Sequence, residues 1–152
     1  MSRLSKRERV LQPNTMEASL YVNEIVNVLQ AISQQENKVK KKNIIIANKE
    51  NNLLISVIKY HLGDPDPGFE PLLIYKPQFY IAEPPEFTEW EELMDYFRTH
   101  RDVEDRLITA QRFIQLKPWT DRDAWKHILS KTTVLGNEQY LATVINKEEN
   151  SA

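Results

Sequence analysis

The chain has no cysteine among its 152 residues. That excludes disulfides, Cys-ligated zinc and thiol chemistry together, and it fits a reducing compartment. Glycine is nearly as scarce, with three residues, which argues against a Gly-rich phosphate loop and against a turn-dense all-β fold. No P-loop, nucleophile elbow or dinucleotide fingerprint is present. No apolar run approaches the roughly 20 residues that a membrane helix needs. Arg3, Lys6, Arg7 and Arg9 have no apolar stretch behind them, so they do not form a secretory signal. The three histidines, His61, His100 and His127, are not at metal-ligand spacing. His61 is expected on a half-buried helix face, His100 in a charged turn and His127 at the surface. These absences predict a cytoplasmic protein with no membrane segment, metal or cofactor.

What is present is a separation of charge. Lys38, Lys40, Lys41, Lys42 and Lys49 fall within a short stretch that holds no acid. Between Asp64 and Asp105 there are twelve acids against three bases. Residues 1–63 carry +5, residues 64–105 carry −9 and residues 106–152 carry +2, for a total of −2. A near-neutral chain with a segregated positive patch has the electrostatics to hold a polyanion locally. The bland reading of the same lysines is a solvated helix face.

A chain of this length is one domain by size and is long enough to bury a core. Residues 1–17 read as a flexible N-terminal arm, rich in charge and broken by Pro13-Asn14-Thr15. Its bases are either a disordered tail or a nucleic-acid contact. Residues 18–148 read as a single helical domain. Val22, Ile25, Val26, Leu29 and Ile32 recur at three- and four-residue steps and predict a helix over 17–34. A second helix is expected over 38–47, with Val39 and Ile44–Ile46 inward and the lysines at its start, where positive charge opposes the helix dipole. A third covers 52–62, with Leu54, Val57, Ile58 and His61 on one side and Gly63 as its cap.

Asp64-Pro65-Asp66-Pro67-Gly68 is a turn. Pro71 and Pro77 interrupt the apolar residues that follow, which predicts an extended, Pro-rich segment crossing the bundle near residues 69–85. Thr88-Glu89-Trp90-Glu91 has the form of a capping box with Thr88 as N-cap. The helix behind it carries Trp90, Leu93, Met94 and Phe97 as one stripe. Further helices are expected over 103–116, after Thr120 (Trp125, Ile128 and Leu129 inward) and over 138–147 (Leu141, Val144 and Ile145 inward). The fold class is therefore all-α: a compact bundle of six or seven helices. The Trp and Phe stripes read as core rather than base-stacking platforms. Glu89, Glu91, Glu92 and Asp95 crowd one helix start, as a dipole-stabilised N-terminus does, and do not read as an acid/base pair.

Val39-Lys40-Lys41-Lys42-Asn43-Ile44-Ile45, running into Asn48-Lys49-Glu50-Asn51-Asn52-Leu53-Leu54 and then Val57-Ile58-Lys59-Tyr60, resembles the second and third helices at the start of phage ATP-dependent DNA ligases of the T4 type. Ile74-Tyr75-Lys76-Pro77 is similar to the aromatic-basic segment that follows in that family. Thr88–Phe97 and Ile114–Ile145 resemble its later helices. The resemblance covers roughly residues 20–147, the α-helical DNA-binding domain. The family's nucleotidyltransferase domain, with its Lys-x-Asp-Gly nucleophile, has no counterpart here, since no Asp-Gly pair occurs in the chain. Where the family has Arg-Asp-Leu before a glycine, this chain has Ser130-Lys131-Thr132-Thr133-Val134-Leu135-Gly136, which keeps a base and the glycine but not the acid.

The resemblance implies a non-catalytic DNA-binding module that holds duplex DNA across the minor groove through its backbone, with little sequence specificity. That places the chain in DNA replication or repair, in host cytoplasm for a bacteriophage protein. The expected nucleic-acid-binding residues are Lys38, Lys40, Lys41, Lys42 and Lys49, with Lys76 and Lys131 added by resemblance. Two alternatives stand beside it. One is a small phage protein-interaction module or inhibitor that acts on a host or replication protein through the acidic face at 64–105. The other is a split ligase whose catalytic half is another chain.

Overall fold

The computed structural model of the protein describes residues 15–69 and 83–150. Over these residues the chain forms seven α-helices, one 3-10 turn and no strand. The helices are α1 (Thr15–Gln34), α2 (Lys38–Ala47), α3 (Asn52–His61), α4 (Trp90–Thr99), α5 (Val103–Gln115), α6 (Arg122–Leu129) and α7 (Glu138–Asn150); the 3-10 turn Trp119–Asp121 leads into α6. The all-α bundle anticipated from the apolar spacing is the fold. α1 starts at Thr15, so residues 15–17 belong to the helix and not to the arm. Residues 1–14 of the expected arm lie outside the described residues, as do residues 70–82 of the expected crossing segment, Lys76 among them. Residues 83–88 have no regular structure. No described helix is long and apolar enough to cross a membrane.

Side-chain caps set the helix starts. The Asn37 carboxamide oxygen accepts from the backbone N–H groups of Val39 and Lys40, at 2.8 and 3.3 Å, which satisfies two of the donors an N-terminus leaves open. Asn51 does the same for α3, accepting from Leu54 N–H at 3.1 Å. At α4 the cap is Glu89 rather than Thr88: the Glu92 carboxylate accepts from Glu89 N–H at 3.1 Å. The sequence pattern was one residue out of step because Glu89 and Glu92 have the same three-residue spacing as Thr88 and Glu91. Thr88 instead offers its carbonyl to Lys117 Nζ, 2.7 Å away. Gly63 ends the turn after α3 with φ +96, a left-handed conformation that glycine adopts without strain.

α1 packs on α2, the 3-10 turn and α6; α2 packs on α7; α5 packs on both α4 and α6. The stripes meet as their spacing requires, with Val22, Ile25, Leu29 and Ile32 of α1 and Leu54, Val57 and Ile58 of α3 all buried. At the centre the Tyr60 ring is edge-on to Trp90 (5.4 Å, 84°) and stacked on Phe97 (6.3 Å, 28°). Trp90 stacks in turn on Trp125 at 5.9 Å. Full burial of one such side chain contributes roughly 1.5–3 kcal/mol, and paired rings contribute about 0.5–1.5 kcal/mol beyond that. Trp119 is the exception among the tryptophans, 80% exposed on the 3-10 turn.

The inward face of α2 differs from expectation. Val39 is 48% exposed, while Ile45 and Lys41 are the buried residues of the helix. Lys41 and Ile45 are four apart and so share a face; Val39 lies on another.

Candidate nucleic-acid interface

The lysine cluster does not form one surface. At about 100° per residue, Lys38 and Lys42 stand one turn apart on one edge of α2, and Lys40 lies about 160° round the axis from both. Lys38 and Lys40 are exposed and Lys42 is half-buried. Lys38 Nζ sits 5.0 Å from the centroid of the Tyr140 ring on α7. No ion pair is formed by Lys38, Lys40, Lys42 or Lys49 among the described residues.

Lys41 is a different case. It is 5% exposed, and its ammonium donates to the carbonyl of Leu135. A group withdrawn from solvent in this way is not placed to neutralise a phosphate, so Lys41 leaves the set of candidate contacts. What it does is join two segments remote in the chain. The turn 130–137 is laid against the lysine helix, and the two stretches that the sequence singled out become neighbours. Gly136 closes on the same ammonium with φ +74: a Cβ there would come within 2.7 Å of Lys41 Nζ.

The turn has further anchors. The Leu135 side chain is buried. His127 Nε2 and the Thr133 hydroxyl share a hydrogen bond of 2.6 Å, and the Thr132 hydroxyl donates to the His127 carbonyl at 3.3 Å. His127 is thus half-buried, not the surface residue expected, and burial lowers its pKa. Between the anchored Thr133 and Leu135, Val134 stands out with 69% of its surface exposed.

Lys131, the other base of the turn, is turned inward. Its Nζ lies 4.8 Å from the centroid of the Tyr60 ring and 3.8 Å from the Asp66 carboxylate. Burial lowers its pKa, opposed by the charges of Asp66 and Glu138. Lys49 is exposed, but it lines a cleft of about 630 Å³ whose walls also carry Glu50, Glu91, Glu148 and Glu149. The field it meets is mixed, unlike that at the start of α2.

Other bases are committed to the scaffold. Lys59 pairs with Glu149 at 3.0 Å, Arg98 with Asp95 at 2.9 Å, and Arg112 with Glu86. Arg122 donates to the carbonyls of Gln115 and Lys117. Lys117, besides its bond to Thr88, lies 4.3 and 4.7 Å from the Phe113 and Trp125 ring centroids.

His61 is more deeply buried than expected, at 7% exposure. Its Nδ1 bonds to the Val57 carbonyl at 3.0 Å, which assigns the proton to that nitrogen, and its Nε2 has no partner. His100 is exposed and stacks on Tyr96, with centroids 3.9 Å apart. No group of three or more metal-ligating side chains converges among the described residues.

Sequence reasoning missed the inward role of Lys41 and the exposure of Val134. The four-residue step from Lys41 to Ile45 was the available signal for the first; nothing local marked the second. The chain matches no protein-family model, no curated protein and no solved structure.

Proposed function

We propose that the chain is a non-catalytic module that binds duplex DNA through its phosphate backbone, in the cytoplasm, as the likeness to ligase DNA-binding domains implies. The observation that carries the reading is the edge of α2. Lys38 and Lys42 stand one turn apart and make no ion pair among the described residues. An ammonium with no carboxylate paired to it is available to a polyanion, and phosphate contacts of this kind fix position without reading sequence. The turn 130–137 is tied to the same helix through Lys41 and would supply a second arm. Lys40 is on the far side of the helix, Lys49 lines a cleft of mixed charge and Lys131 is engaged by Asp66 and Tyr60, so these three are secondary.

The test is fluorescence anisotropy with two labelled duplexes of unrelated sequence over rising salt. Comparable affinities that weaken steeply with salt support the proposal. No binding at low salt sinks it.

A second reading draws on α4. Glu91, Glu92 and Asp95 are exposed there, and Asp102, Glu104 and Asp105 are exposed at the start of α5. Such a surface repels phosphate and suits a basic protein partner. Reversal of Glu91, Glu104 and Asp105 to lysine, which leaves the Glu92 cap and the Asp95–Arg98 pair in place, separates the two readings: it abolishes a protein complex but leaves duplex affinity the same or higher.

A further inference from the structure

A buried ammonium is costly unless hydrogen-bonded, and a methionine would fill much the same space without that cost. Lys41 is nevertheless the residue at the centre of the α2 contact with the turn, and it reaches a backbone carbonyl there, not an acid. A bond to backbone fixes chain geometry, whatever side chains the turn carries. The residues around that bond are built for a defined turn. Lys131, Gly136 and Asn137 all have left-handed φ, at 53, 74 and 49. Thr133 is tied to α6 through His127 and Leu135 is sunk into the core. Only Val134, between them, is left outside, an exposed apolar tip with both neighbours pinned.

We infer that Lys41 is a positioning residue: it holds the turn 130–137 so that Val134 stands beside the Lys38–Lys42 edge as a non-ionic contact on the sugar edge of bound duplex. This rests on the duplex-binding reading. Lysine does two separate jobs on one helix. Lys38 and Lys42 supply charge, and Lys41 supplies shape. The distinction is measurable, because a phosphate contact releases counterions and a positioning bond does not.

The experiment compares the parent chain with Lys41→Met and Val134→Ser in duplex titrations over a range of salt, at a temperature well below every variant's melting point. Both variants lose affinity by about tenfold, the size expected for one well-placed interface residue. Their log affinity–log salt slopes equal the parent's. Val134 is at the surface, so its substitution leaves the melting temperature unchanged and stands even where Lys41→Met destabilises the bundle. Amide exchange at Gly136 and Asn137 speeds up in Lys41→Met and not in Val134→Ser. Parent-like affinity in either variant overturns the inference. So does a slope flattened by about 0.9 in Lys41→Met, which would make Lys41 a phosphate contact itself. A parent chain that binds no duplex overturns the reading beneath it, an outcome distinct from a binding parent with indifferent variants.

Discussion

The Tyr60 hydroxyl, near the end of α3, donates to the carbonyl of Leu129, the last residue of α6, across 2.6 Å. Tyr60 is fully buried, so this bond is made without competition from water. It joins two helices that are far apart in sequence at the point where the aromatic core begins. Burial also raises the pKa of the phenol well above its usual value, with the Asp66 charge acting in the same direction. The hydroxyl therefore stays a donor across the working pH range.

Tyr60→Phe keeps the ring contacts with Trp90 and Phe97 and removes only the hydroxyl. The Leu129 carbonyl is then left without its donor, and a buried unsatisfied acceptor costs roughly 1–3 kcal/mol. Urea denaturation should show the midpoint falling with the slope unchanged. An unchanged midpoint would show that the carbonyl finds another donor.

Arg106 gathers the chain around the end of α4. Its guanidinium donates to the carbonyls of Phe97 and His100 at the end of α4, and to those of Asp66 and Pro67, the last two at 2.9 and 3.2 Å. One planar cation thus caps a helix C-terminus and clamps the 64–68 loop to it, a geometry lysine cannot reproduce. Arg106→Lys should cost about 1–3 kcal/mol, in the range for charged hydrogen bonds. It should also speed amide exchange at Gly68 and Phe69. Loss of stability without faster exchange there would locate the effect elsewhere.

His61 gives the fold a pH dependence of known sign. Burial lowers its pKa from 6.5 to about 4, with the Lys131 and His127 charges acting in the same direction and the Val57 bond opposing them. The unfolded chain binds this proton at higher pH than the folded one. Its contribution is therefore complete above pH 6.5, falls as pH drops from 6.5 toward 4, and is gone below that. A shift of this size corresponds to about 3 kcal/mol. Urea midpoints of the parent chain should fall across that window. A His61→Gln variant should lose most of the slope, leaving the smaller part due to His127. Equal slopes in the two proteins would remove His61 as the cause.

The helices were legible because each buries a stripe with a clear period. Leu54, Val57, Ile58 and His61, or Trp90, Leu93, Met94 and Phe97, fix both a helix and its inward face. α2 was legible as a helix but not in phase. Ile44, Ile45 and Ile46 are consecutive, and a run of three apolar residues points three ways at once. With the phase open, Val39 looked inward and Lys41 outward, and both were reversed by the packing of α2 on α7. The candidate interface was legible as charge but not as geometry. Which lysine is withdrawn from solvent depends on partners remote in sequence: Asp66 for Lys131 and Leu135 for Lys41. No local pattern encodes those.

The phase of α2 makes the lysines distinguishable in solution. If Lys38 and Lys42 each neutralise one phosphate, each contributes about 0.9 to the fall of log affinity with log salt. Lys38→Ala with Lys42→Ala should flatten that slope by about 1.8 and weaken binding to all duplex sequences alike. Lys40→Ala, on the far side of the helix, should leave the slope unchanged. Stability should move little, since lysine and alanine both favour helix and the lost charges opposed the dipole. Loss of the Lys38–Tyr140 contact costs about 0.5 kcal/mol at an exposed site. Salt-dependent anisotropy on the three proteins reads all of this. A slope that flattens equally for Lys40→Ala would mean that charge alone, without geometry, governs binding. A slope that the double substitution leaves intact would move the duplex contact off α2.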